Sequence, residues 1–303
     1  MTARVVRTWT LIVVAWVACA LVVVGRGMPA SAHAAPDGER TVILTALGKD
    51  GEPIRDLKAE DFTIAEDGAV RQVASAAVAT APMFIDVLVD TSKPALGAAD
   101  PIHDLRAGLA DFVKTVQGAS PESQIALGEF AGVSIQTVNF TAKTADLTKV
   151  ISRLSTSQRS SSVLLEALID AAKDIGKKPS TRRVIVTVNF DTPEASAVNG
   201  NSVLQEVKKS GAAYWPISVG TSGGAPGRDM IVETLPAMTG GMLSIAVTST
   251  SVGTKLKALA DALTSQYMLT YRNSSGASLT SIQASANGAT KVVVGMPAAI
   301  AVK

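Results

Sequence analysis

From Met83 onward, short apolar runs alternate with segments whose apolar residues recur at helical spacing. This alternation limits the choice of fold more than any other feature of the chain. Phe84-Ile85-Asp86-Val87-Leu88-Val89 and Val184 to Val188 are almost continuously apolar, the mark of strands buried on both faces. Between them lie a helix with Asp100 as N-cap, a hairpin around Ala131-Gly132, and helices near residues 147–154 and 164–176. Ser202 with Gln205 reads as a capping box, and Ala212 to Val219 as the next strand. A helix near 228–238, a strand near 242–247, a helix near 252–265 and a strand near 267–272 complete the series. The expected fold class is α/β, a mostly parallel, doubly wound, Rossmann-like sheet with helices on both faces.

The segments on either side are β in character. Thr41 to Thr45 is rich in β-formers, and Phe62-Thr63-Ile64 leads to the hairpin dipeptide Asp67-Gly68, with 70–78 as the returning strand. Val292-Val293-Val294 marks a strand near the end of the chain. The two flanks are expected to pack together as one small β accessory module. The boundaries are then 1–34 for a leader, 35–81 for the N-terminal flank, 82–273 for the α/β domain and 274–303 for the C-terminal flank.

The leader reading rests on the order of residue types. Arg4 and Arg7 precede an uncharged run from Thr8 to Gly25, and small residues follow in Ala30-Ser31-Ala32-His33-Ala34. Positive, apolar, then A-x-A is the order of a secretory signal peptide, with cleavage expected after Ala34. Export to the periplasm, cell envelope or medium follows. An uncleaved anchor formed by residues 8–25 is the alternative. Cys19, the one cysteine, lies in this segment, so the remainder has neither disulfide nor thiolate chemistry.

Charge excludes further classes. Residues 1–34 hold Arg4, Arg7 and Arg26 and no acid, and without them 25 basic residues face 26 acidic ones. No broad surface for nucleic acid is expected. Enzyme motifs also fail. Gly220-Thr221-Ser222-Gly223-Gly224 matches G-x-S-x-G, but that arrangement needs an acid and then a histidine downstream. The two histidines, His33 and His103, both lie upstream. There is no Cys/His cluster for zinc.

Ligands of open α/β sheets sit beyond the carboxyl ends of the strands. Three loops there carry oxygen ligands: Asp90-Thr91-Ser92-Lys93-Pro94, Ser160-Ser161-Ser162, and Asn189-Phe190-Asp191. A carboxylate and a hydroxyl two residues apart at a strand end can face one cation. The segment Val87-Leu88-Val89-Asp90-Thr91-Ser92 resembles the start of a von Willebrand factor A domain, and the order of the next two loops is similar to it. The resemblance spans roughly residues 83–272. In that family a D-x-S-x-S loop, a threonine loop and a later aspartate build a metal-ion-dependent adhesion site.

Carried over, Asp90 and Ser92 match the first two ligands and Ser162 resembles the threonine. Asp191 lies near the last aspartate, although one register places Phe190 there. The second loop serine is Pro94 here, which has no hydroxyl. Leu57-Lys58-Ala59-Glu60-Asp61-Phe62-Thr63-Ile64-Ala65-Glu66-Asp67-Gly68 is similar to the segment before the A domain in exported bacterial "VWFA-related" proteins, and Gln266 to Tyr271 resembles the strand that closes that domain. The resemblance implies a non-enzymatic binding or adhesion protein that recognises a protein or cell-envelope partner. Its weakened site would hold Mg²⁺ or Mn²⁺ on Asp90, Ser92, Ser162 and Asp191. Lys93 is the expected partner contact, or else its ammonium takes the cation's place beside Asp90. The alternative is a metal-independent scaffold of an envelope assembly.

Overall fold

The computed structural model describes residues 38–93, 101–220, 225–273, 281–295 and 298–299. The leader with Cys19 and His33, the positions Pro94 and Asp100, and Ser222 lie outside the described residues. Among those described, no helix is long and apolar enough to cross a membrane.

The chain opens with β1 (Gly38–Leu47), β2 (Phe62–Glu66), β3 (Ala69–Arg71) and β4 (Val73–Val78). β2 and β3 form the expected hairpin, and Asp67 and Gly68 both take positive φ, as a tight primed turn requires. The single returning strand expected over 70–78 is two strands. β3 ends at Arg71, and β4 joins a different sheet beside the strand at 267–273.

The α/β part runs through β5 (Phe84–Val89), α1 (Ile102–Ala119), β6 (Gln124–Phe130), β7 (Ser134–Thr141), α2 (Thr144–Ile151), α3 (Leu164–Ile175), β8 (Arg183–Asn189), α4 (Gly200–Ser210), β9 (Ala213–Val219), α5 (Pro226–Thr239), β10 (Ser244–Ala246) and α6 (Val252–Thr264). Its six-stranded sheet has the order β10-β9-β8-β5-β6-β7, parallel except for the β6–β7 hairpin.

Alternate residues of each strand serve opposite faces. Ile85, Val87, Val89, Val184, Val186 and Val188 pack with α1, α2 and α6, whereas Leu88, Ile185 and Tyr214 pack with α3, α4 and α5. Both faces are therefore dry, which explains the continuous apolar runs. α1 and α6 approach at Gly108, where a Cβ would stand 2.8 Å from the Cα of Gly253. The capping box expected from Ser202 and Gln205 starts earlier. Asn199 is the N-cap, and its side chain accepts from the Ser202 N–H.

The strand at 267–273, β11 (Tyr267–Asn273), does not close the parallel sheet. It lies between β1 and β4, antiparallel to both. Then follow β12 (Ile282–Ala286), β13 (Lys291–Val294) and β14 (Ala298–Ala299). β13 and β14 pair with β1, and β12 pairs with β2. The two small sheets enclose Val42, Leu44, Phe62, Ile64, Tyr267, Leu269 and Tyr271, so the flanks share one core.

Arg182 holds the junction between the two parts. Its buried guanidinium donates to the carbonyls of Ala79, Ala81 and Leu263 and to Gln266 Oε1 at 2.6–3.0 Å. Ser180 Oγ donates to Pro82 O at 3.0 Å, and Ser123 Oγ accepts from Met83 N at 2.9 Å. The connection between β4 and β5 thus satisfies its buried backbone groups with side chains from the segments just before β6 and β8.

Candidate functional site

The chain leaves β5 through α1 toward β6, and leaves β8 through α4 toward β9 on the opposite side. The connections diverge between β5 and β8, and there the carboxyl edge opens a crevice. Three loops meet in it. Ser157 N donates to Thr91 O at 2.7 Å and Lys93 N to Arg159 O at 2.6 Å. Ser162 N donates to Pro193 O at 2.7 Å and Ala195 N to Ser162 O at 2.8 Å. The strand-end loops are therefore cross-linked through the segment that precedes α3.

Asp90 is the centre of this arrangement and is fully buried. One carboxylate oxygen accepts from Ser92 N at 2.9 Å. The other accepts from Thr192 Oγ1 at 2.9 Å and Phe190 N at 3.3 Å. Burial pushes the Asp90 carboxyl above its ordinary range, and these hydrogen bonds pull it back part of the way. The Ser92 hydroxyl donates to Ser161 O at 2.9 Å. Ser162 is buried, and its hydroxyl donates to Glu194 Oε2 at 3.2 Å.

Asp90, Ser92 and Ser162 thus come together. Asp191 does not join them. Its neighbours Phe190 and Thr192 turn toward Asp90, while Asp191 is exposed and its Cβ lies 3.5 Å from where a Cβ on Gly220 would stand. The Phe190 side chain enters the core beneath α1 and α6, so its N–H alone serves the site. Lys93 is exposed and forms no ion pair with buried Asp90, so its ammonium does not take a cation's place there.

Two residues of the site, Thr192 and Glu194, were not legible as candidates. Glu194 serves α3. That helix starts at Val163-Leu164-Leu165, which offers no capping side chain. At this end Ser196 Oγ accepts from Leu165 N at 3.2 Å, and Glu194 accepts in turn from Ser196 N at 3.1 Å and from the Ser196 and Ser162 hydroxyls. Burial raises its carboxyl above the ordinary range. The signal was the uncapped helix start, which demands an acceptor from elsewhere. The anion favoured at a helix N-terminus is thus the chain's own. Arg228, at the start of α5, donates to the carbonyls of Thr192 at 2.6 Å and Phe190 at 3.4 Å and so fixes the third loop.

A cation of the Mg²⁺ type takes about six oxygens. The third loop aims an N–H and an O–H at Asp90 rather than a carboxylate. The Ser162 hydroxyl is spent on Glu194, and position 94 is proline. As folded, the donor set does not fit a resident divalent cation. Among the described residues there is no group of three or more histidine, cysteine or acidic residues arranged to hold a metal.

No family model matches the sequence, and no curated protein matches it. Solved structures do match in fold. A von Willebrand factor type A structure from Catenulispora acidiphila is similar over 87% of this chain and 73% of that one, with TM-score 0.51 and 8% identity. Proximal thread matrix protein 1 from the mussel byssus, in a structure described as having a zinc occupied MIDAS motif, is similar over 66% of this chain, with TM-score 0.51 and 14% identity. The chain spans about half the length of the mussel protein, 49% of it. The strand order, the helices on both faces and these likenesses together show that the protein has a von Willebrand factor A-type fold.

Proposed function

We propose that the protein is an exported binding domain that holds an acidic segment of a protein or cell-envelope partner on the loops at the carboxyl edge of its six-stranded sheet, without a resident cation. The supporting observation is the exposed pair Lys93 and Arg159, on two loops joined by the 2.6 Å bond from Lys93 N to Arg159 O, above an Asp90 whose oxygens are already occupied. In an adhesion site that works through a metal, the cation meets the partner's carboxylate. Here two side-chain cations meet it directly, and Asp90 positions the loops that carry them. An arginine fork also suits a carboxylate geometrically.

A fluorescein-labelled glutamate-rich peptide, read by anisotropy against the full chain, tests this. Binding is expected to persist in EDTA, to weaken with salt, and to fall by about tenfold or more in the Lys93→Glu/Arg159→Glu variant. Equal binding by that variant, or binding only with added metal, would overturn the proposal.

A further inference from the structure

A second crevice opens along the same edge, on the far side of β8. Asn189, the last residue of β8, is 4% exposed, yet neither its Oδ1 nor its Nδ2 has a hydrogen-bond partner. Both amide atoms are closed off from solvent, beside the buried Tyr214 hydroxyl. Asn189 borders a narrow crevice with Ser218 and Asp229, which adjoins a cavity of about 270 Å³ between α5 and the ends of β9 and β10. The floor of that cavity is Val232, Leu243 and Ile245, and Glu233 stands at its wall. Glu233 is exposed and takes part in none of the ion pairs, and Asp191 likewise. The cation in this crevice, Arg228, is buried and already engaged by Asp229 and the third-loop carbonyls.

The cavity adjoins an open sheet edge. Among the described residues, β10 pairs with β9 alone. Ala246 O accepts from Gly220 N at 3.0 Å, so Ala246 bonds toward β9. By the alternation of a parallel ladder, the backbone groups of Ile245 then face outward. Ile245 and Val247 are 55% and 80% exposed, unusual for large apolar residues at a strand edge with no partner.

We infer that β10 and this crevice form a docking site for an extended basic segment of a partner polypeptide, which adds to the sheet beside β10 and inserts an arginine or lysine side chain. The apolar floor takes the methylene stem, and the exposed carboxylates of Glu233 and Asp191 face the charged head. A second copy of this chain suits the edge less well, because it would bring the same carboxylates together. The site shares the 189–192 loop with the Asp90 crevice but lies on the other side of β8 from Lys93 and Arg159, and takes a partner of opposite charge.

The test uses the full chain and two labelled heptapeptides, Val-Thr-Val-Arg-Val-Thr-Val and the same sequence with glutamate for arginine. The arginine peptide is expected to bind and the glutamate peptide not to. Glu233→Arg, an exposed substitution, should weaken binding by about tenfold. Ile245→Pro should abolish it while the unfolding midpoint stays near that of the wild type. Equal binding of the two peptides, an unaffected Glu233→Arg variant, or competition by free argininamide as strong as by the peptide would overturn the inference. So would a dimer in sedimentation that Ile245→Pro dissolves, since the edge would then belong to a second copy.

Discussion

Asp86→Asn is expected to be more stable than the wild type above pH 7 and equal to it near pH 4. Asp86 lies in the middle of β5, on the face covered by α3, with no exposure. Burial pushes its carboxyl up to about 7. Gln136 on β7 and Lys178 after α3 pull it down, and Asp174 at the end of α3 pushes it further up. In the unfolded chain the group returns to an ordinary value near 3.9. The native state therefore binds the proton more tightly, and stability is greatest below about pH 4, falls as pH rises, and levels off above the folded value.

A shift of about three units corresponds to roughly 4 kcal/mol, a large share of the 5–15 kcal/mol that holds a domain together. Asparagine keeps the shape and cannot ionise. Urea unfolding from pH 4.5 to pH 9 should show the wild type losing stability across the window while Asp86→Asn stays flatter. Burial raises the Asp90 and Glu194 carboxyls as well, so both curves carry their slope, and only the difference reports Asp86. Parallel curves would mean that Asp86 is not a charged liability in the fold.

Arg182→Met should cost about 3–5 kcal/mol, because it strands buried acceptors rather than exposing them to water. The acceptors are three backbone carbonyls and one amide oxygen, from the 79–82 connection, the end of α6 and the start of β11. No carboxylate is among them, and burial lowers the guanidinium to about 10, still far above working pH. For a protein of this size the loss corresponds to a fall of about 10 °C in the thermal midpoint. Arg182→Lys should recover part of it, since an ammonium can reach some but not all of these oxygens. A midpoint within about 2 °C of the wild type for Arg182→Met would show that the junction is held by apolar packing instead.

The alternation that specified the α/β fold was readable because β5 and β8 are buried on both faces, which leaves a continuous apolar signature. β11 was misplaced for a related reason. Its burial alternates, with Tyr267, Leu269, Tyr271 and Asn273 inside and Met268 and Arg272 outside. Met268 is apolar, so the two-residue period of a one-sided antiparallel strand did not stand out. In the site, Asp90, Ser92 and Ser162 were legible because strand ends and helix starts fix where their side chains lie. Thr192 and Glu194 depend on how the third loop turns, which is set by Arg228 from a helix more than thirty residues later. Such a long-range hydrogen bond leaves no local pattern. Neither does the unpartnered state of Asn189, which depends on what its neighbours fail to offer.

The chain's own hydrogen bonds complete the Asp90 site. Thermal unfolding of the full chain in EDTA and in millimolar Mg²⁺, Mn²⁺ and Ca²⁺, with Asp90→Ala alongside, tests this most directly. A cation at 100 times its dissociation constant would stabilise the fold by about 2.7 kcal/mol. One midpoint is expected for the wild type in all four conditions, and a lower one for Asp90→Ala that is equally indifferent to metal. A rise with Mg²⁺ or Mn²⁺ that Asp90→Ala removes would contradict it, and would show that Ser92 and Ser162 turn outward to a cation.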